Sequence, residues 1–72
     1  QHENDPQLLL TLGRLCIRSN LWGKARSYIE SSTHILPSPE AYQALAELAQ
    51  GHGESEKSAQ LYQKGLQLAL AK

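Results

Sequence analysis

The chain has 72 residues, of which seven are basic and seven acidic, so its formal net charge is zero. A chain of this length makes one small domain, burying only about 60 to 65% of the surface it exposes when unfolded, and its balanced charge offers no overall field to nucleic acid or an anionic membrane. Leu and Ala dominate the apolar residues while Phe, Met and Val are absent, which removes much of the material that sheets favour and leaves helix as the expected state.

Residues 1 to 5 form a polar leader that starts with Gln1 and has neither a basic start nor an apolar signal core, so the chain reads as a piece of a longer protein. Asp5-Pro6 places a good N-cap before a proline suited to the first helical position, and the spacing of Leu8, Leu12 and Leu15 predicts a helix over 6 to 19. Ser19-Asn20 supplies a turn, and a second helix is expected over 22 to 35, closed by Pro37. Ser38-Pro39 repeats the start signal for a third helix over 39 to 50, with Tyr42, Leu45, Leu48 and Ala49 along one face. After Gly51-His52-Gly53 a last helix is expected over 55 to 71. The longest apolar run, Leu8-Leu9-Leu10, is far short of the roughly 20 residues that span a bilayer.

Sliding the sequence against itself by 33 residues aligns Pro6 with Pro39, Leu9 with Tyr42, Leu12 with Leu45, Gly13 with Ala46 and Cys16 with Ala49, and continues without a gap through Asn20 with Gly53, Ala25 with Ser58, Ile29 with Tyr62 and Ser32 with Gly65. A period of this size signals a helical solenoid. Leu9, Leu12-Gly13, Ala25, Ile29, Ser32 and Pro37, followed by Tyr42, Leu45-Ala46, Ser58, Tyr62 and Gly65, resemble two copies of the tetratricopeptide pattern, the second without its closing proline. The expected architecture is therefore all-α: two tandem tetratricopeptide-like units, 6 to 37 and 38 to 72, as four antiparallel helices of a right-handed solenoid. Within the first unit, Leu12-Gly13-Arg14-Leu15-Cys16, Leu21-Trp22-Gly23-Lys24-Ala25 and Tyr28-Ile29-Glu30-Ser31-Ser32 resemble the C-terminal repeats of the HemY-type protohaem IX biogenesis proteins of Gram-negative bacteria. That resemblance implies a parent protein anchored in the inner membrane, its repeat domain outside the bilayer, acting as a scaffold for enzymes of late haem synthesis.

In tetratricopeptide arrays the first helix of each unit lines a concave groove. The register places Gln7, Leu10, Thr11, Arg14, Ile17 and Arg18 there from the first unit, and Glu40, Gln43, Ala44, Glu47 and Gln50 from the second. Arg14 and Arg18 lie one turn apart and share a face, ready either to grip a carboxylate or phosphate of a partner through paired N–H donors or to be satisfied by water and by Glu47. The Lys and Asn that form the carboxylate clamp of chaperone-binding relatives are replaced by Leu10, Arg14 and Ala44, so a chaperone tail is not the expected ligand.

Cys16 falls on the apolar stripe and reads as a core thiol; a haem thiolate is suggested only by the resemblance. His2, His34 and His52 lack the short spacing of metal ligands, and no sequence signature of a catalytic constellation is present, so neither a cofactor nor an enzymatic activity is expected. Trp22 reads either as a plug across its turn or as an anchor for a neighbouring protein. Leu61, Leu66, Leu68 and Leu70 on the last helix form an expected self-association face, since two units are fewer than the three a stable array needs. The expected partner is a protein or peptide segment, with a second copy of the chain as the alternative.

Overall fold

A computed structural model describes residues 5 to 71; the leader as far as Asn4, including His2, lies outside them, as does Lys72. Four helices follow one another: α1 (Pro6–Arg18), α2 (Trp22–Ile35), α3 (Pro39–Gly51) and α4 (Ser55–Leu70), with no strand among the described residues. None of these helices is long and apolar enough to cross a membrane.

Both odd-numbered helices start on the cap that the sequence offers. The Asp5 carboxylate accepts the backbone N–H groups of Gln7 and Leu8 at 3.0 and 3.4 Å, and the Ser38 hydroxyl accepts that of Ala41 at 3.1 Å, with proline next in each case. They also end alike. Asn20 at φ 60 and Gly53 at φ 79 are the two left-handed residues among those described, 33 positions apart. At the first turn, Leu21 N–H reaches back to Cys16 C=O at 2.8 Å and Asn20 N–H to Ile17 C=O at 3.0 Å. At the second, Glu54 N–H reaches Ala49 C=O at 2.9 Å and Gly53 N–H reaches Gln50 C=O at 3.1 Å. Two such bonds around a left-handed residue are the Schellman motif, which satisfies the orphan carbonyls of a helix end. Leu21 and Glu54 then serve at once as the last residue of the turn and the first of the next helix, and α2 and α4 begin without a side-chain cap.

These tight turns fold the chain into two hairpins, α1–α2 and α3–α4, whose helices run antiparallel. Ser32, near the end of α2, donates its hydroxyl to Pro6 C=O at the start of α1 at 2.8 Å. Its counterpart Gly65, near the end of α4, lies so close to Pro39 that a Cβ there would meet the Pro39 carbonyl oxygen at 3.3 Å. Gly13 is a close approach within the first hairpin: a Cβ on it would run into Ile29 Cγ1 and lie 3.3 Å from the Ala25 carbonyl oxygen.

The second hairpin then packs α3 onto α2. Leu10, Ala25 and Ile29 meet Ala41, Ala44 and Leu48 in one buried cluster, with Cys16, Ile17 and Leu45 half-buried against it. Ile29, fully buried between α1 and α3, gains about 1.5–3 kcal/mol from that burial. The sequence reading needs one correction here. The leucine stripe of α1 is rotated from the expected one: Leu9, Leu10 and Gly13 are buried, Leu8 and Leu12 only half-buried, and Leu15 is 52% exposed. At about 100° per residue, Leu9 and Gly13 must face α2 for the helices to touch, and this turns Leu15 to the outside.

Candidate functional site

A concavity of about 460 Å³ opens where the start of α1, the end of α2, the start of α3 and Leu68 of α4 converge. The Leu36–Pro37–Ser38 connection and Pro39 form one wall, Pro6, Leu10 and Ser32 the floor, and Gln7, Arg14 and Glu40 supply its polar groups. Two prolines and a helix cap give that wall a fixed backbone. Its sides combine apolar surface with one exposed guanidinium and one exposed carboxylate, a lining suited to a short segment of polypeptide carrying at least one charge.

Of the residues that the register placed in the groove, Gln7, Leu10 and Arg14 come together in this cavity, as does Glu40. Leu10 differs from the expectation of an outward contact: it is 7% exposed and belongs to the buried cluster, so it supports the floor from behind, and Ala44 at 2% exposure is likewise core. The reason is that α3 packs close enough to cover both. Thr11, Arg18, Glu47 and Gln50 are exposed but do not line the cavity, and the Thr11 hydroxyl donates to its own helix at Gln7 C=O, 3.0 Å away. No ion pair joins Arg14 or Arg18 to Glu47; the ion pair among the described residues is Arg26 to Glu54 at 3.5 Å. Sequence reasoning missed the wall made by Leu36, Ser38 and Pro39 and the contribution of Leu68. The Pro-Ser-Pro run was the available signal, read only as a helix stop and a helix start.

A second groove of about 300 Å³ lies along the outer side of α3 and α4, lined by Pro39, Gln43, Tyr62, Gly65, Leu66 and Ala69. The four leucines expected to share the self-association face do not. Leu66 and Leu70 are exposed, at 59% and 76%, whereas Leu61 and Leu68 are half-buried and Leu68 lines the first cavity. Leu61 and Leu68 are seven residues apart and lie on one side of α4, while Leu66 belongs to a different side with Tyr62 and Ala69.

Trp22 is 41% exposed, and its ring meets the His52 ring edge-on with centroids 5.6 Å apart. His52 caps α3, with Nδ1 2.9 Å from Leu48 C=O. Cys16 is a free thiol half-buried at the edge of the core. Among the described residues, no three His, Cys, Asp or Glu side chains are grouped so as to hold a metal ion. Compared with protein-family models, curated proteins and solved structures, the chain finds no match in any of the three.

Proposed function

We propose that the chain is a non-catalytic protein-interaction module: two tetratricopeptide-like units of a right-handed solenoid that receive a segment of a partner protein in the cavity between the hairpins. The observation that carries this reading is the cavity itself, rigid-walled by Pro37 and Pro39 and furnished with Arg14 and Glu40. A wall that is ordered before binding spares the partner much of the entropy cost of association. Arg14, with Arg18 one turn away on the same face, selects a carboxylate-bearing segment by paired N–H donors. The resemblance of residues 12 to 32 to HemY-type proteins supports a partner among the enzymes of late haem synthesis and a parent protein held at a bacterial inner membrane.

Affinity capture from solubilised bacterial membranes tests this. The wild-type chain is expected to retain a specific protein that an Arg14→Glu/Arg18→Glu variant of unchanged helix content loses. Equal retention by both overturns the role of the cavity. The reading as a self-associating segment is favoured by a different observation, the exposed apolar groove on α4.

A further inference from the structure

The neutral net charge is the sum of two unlike halves. Between Pro6 and Pro37 the chain carries Arg14, Arg18, Lys24 and Arg26 against the acidic Glu30. After Pro37 it carries Glu40, Glu47, Glu54 and Glu56 against Lys57, Lys64 and Lys72. The division is complete on α1 and α3, which run in the same direction because each follows a reversal of the chain. The charged residues of α1 are Arg14 and Arg18, and those of α3 are Glu40 and Glu47. At about 100° per residue, Gln7, Arg14 and Arg18 share one face of α1, and Glu40 and Glu47 share one face of α3. Gln7, Arg14 and Glu40 line one cavity, so these two faces look into the same groove. All four charged side chains are exposed, and among the described residues no ion pair joins one row to the other. Leu10 and Ala44, from the same two helices, belong to the buried cluster beneath.

We infer that this groove takes one helix of a partner protein, acidic on the flank that meets α1 and basic on the flank that meets α3, running antiparallel to both. This rests on the protein-interaction reading above and deepens it. A carboxylate-bearing segment answers the arginines alone, whereas two rows of opposite sign call for a partner that carries both signs, and Glu40 and Glu47 repel one that is only acidic. Spacing selects the helix. Arg14 and Arg18 stand about 6 Å apart along their axis, and Glu40 and Glu47 about 10 Å. On a partner helix these are steps of four and seven residues, each returning to the same flank. On an extended segment same-side residues recur at about 7 and 13 Å, which fits the first row and misses the second. The register selects the direction. The 33-residue repeat sets Glu47 level with Arg14 and Glu40 level with Gln7, while Arg18 lies farther toward the end of α1. The partner's basic residues are therefore displaced toward the start of α1 and its acidic residues toward the end. A helix is stabilised by acidic groups in its first turn and basic groups in its last, so the occupant starts beside Arg18 and ends in the cavity beside Glu40.

Fluorescence anisotropy with labelled, alanine-rich helical peptides of about 20 residues tests the inference on the chain itself. Two peptides carry glutamates four apart on one flank and lysines seven apart on the other, with the glutamates nearer the N-terminus. The lysine flank lies clockwise of the glutamates in one and anticlockwise in the other. One of the two is expected to bind, with an affinity that falls as salt is raised. Arg14→Gln/Arg18→Gln and Glu40→Gln/Glu47→Gln, all at exposed positions, are each expected to weaken that peptide by about three- to thirtyfold. Arg18→Gln and Glu47→Gln alone take their place where circular dichroism shows a loss of helix in a double variant. The same peptide with its lysines nearer the N-terminus is expected to bind more weakly. Absence of binding by both peptides up to millimolar concentration overturns the inference. Tighter binding of the reversed peptide overturns the direction, and tighter binding of an extended, proline-containing peptide of the same charges overturns the helix. Loss in the arginine variant without loss in the glutamate variant, or tighter binding of a peptide with glutamine in place of lysine, overturns the basic flank and leaves the carboxylate-binding role of Arg14 standing. Failure of this inference is thereby distinguishable from failure of the reading it rests on.

Discussion

Gly13 and Gly23 both lie within helices, yet alanine has opposite consequences at the two. At Gly13 a methyl group runs into Ile29 Cγ1 and meets the Ala25 carbonyl oxygen at 3.3 Å, whereas at Gly23 nothing lies within 4 Å. Overpacking costs about 1–3 kcal/mol, which outweighs the roughly 1 kcal/mol of helix propensity that alanine adds. Gly13→Ala is therefore expected to lower the midpoint of thermal unfolding and Gly23→Ala to raise it, with Ile29→Ala costing less beside Gly13→Ala than in the parent because it removes the Cγ1 that the new methyl meets. Calorimetry of these variants checks the signs; a Gly13→Ala protein as stable as the parent contradicts the close crossing of α1 and α2. Ser32 belongs to the same crossing. Its hydroxyl bonds to Pro6 C=O from a site 1% exposed, so it does more than the small-residue rule of the repeat required of it.

The elements owe their bounds to local chemistry, and for that reason they were legible in the sequence. Expected helices over 6 to 19, 22 to 35, 39 to 50 and 55 to 71 differ from the observed ones by at most one residue at an end, because Asp5, Ser38, Asn20 and Gly53 each act through backbone within a few residues of themselves. Packing faces were less legible. An apolar residue at three-to-four spacing does not reveal which neighbour it meets, so Leu15 looked like core and Leu10 like groove until the approach of α3 decided both. The cavity wall was the least legible part, since it forms only when the two hairpins are set against each other around Pro37. Removing a cap tests the local account: Asp5→Ala and Ser38→Ala are each expected to cost about 1 kcal/mol in denaturant unfolding. Gly53→Ala, forced into left-handed backbone at φ 79, is expected to cost about 1–2 kcal/mol, while Asn20→Gly at the equivalent turn costs nothing. Equal effects of Gly53→Ala and Asn20→Gly would refute the shared turn geometry.

At the scale of the whole molecule, the hairpins are joined by one buried cluster and two exposed contacts, Arg26–Glu54 and Trp22–His52. The ion pair, 43% and 44% exposed on its two sides, contributes no more than about 1 kcal/mol, so the cluster around Ile29 carries the joint. Every helix packs chiefly on its neighbour in sequence, and helical domains with such local contacts refold in about microseconds to milliseconds. Rapid-mixing fluorescence of Trp22 is expected to show the main refolding phase within that range; a main phase of seconds contradicts it. The burial of Ile29 by a hairpin that lies later in the chain also has a consequence during synthesis. With translation at about 5–20 residues per second, the first hairpin leaves the ribosome up to about 3 seconds ahead of the residues that will cover Ile29, and for that interval its apolar side is open to chaperones and to other nascent chains.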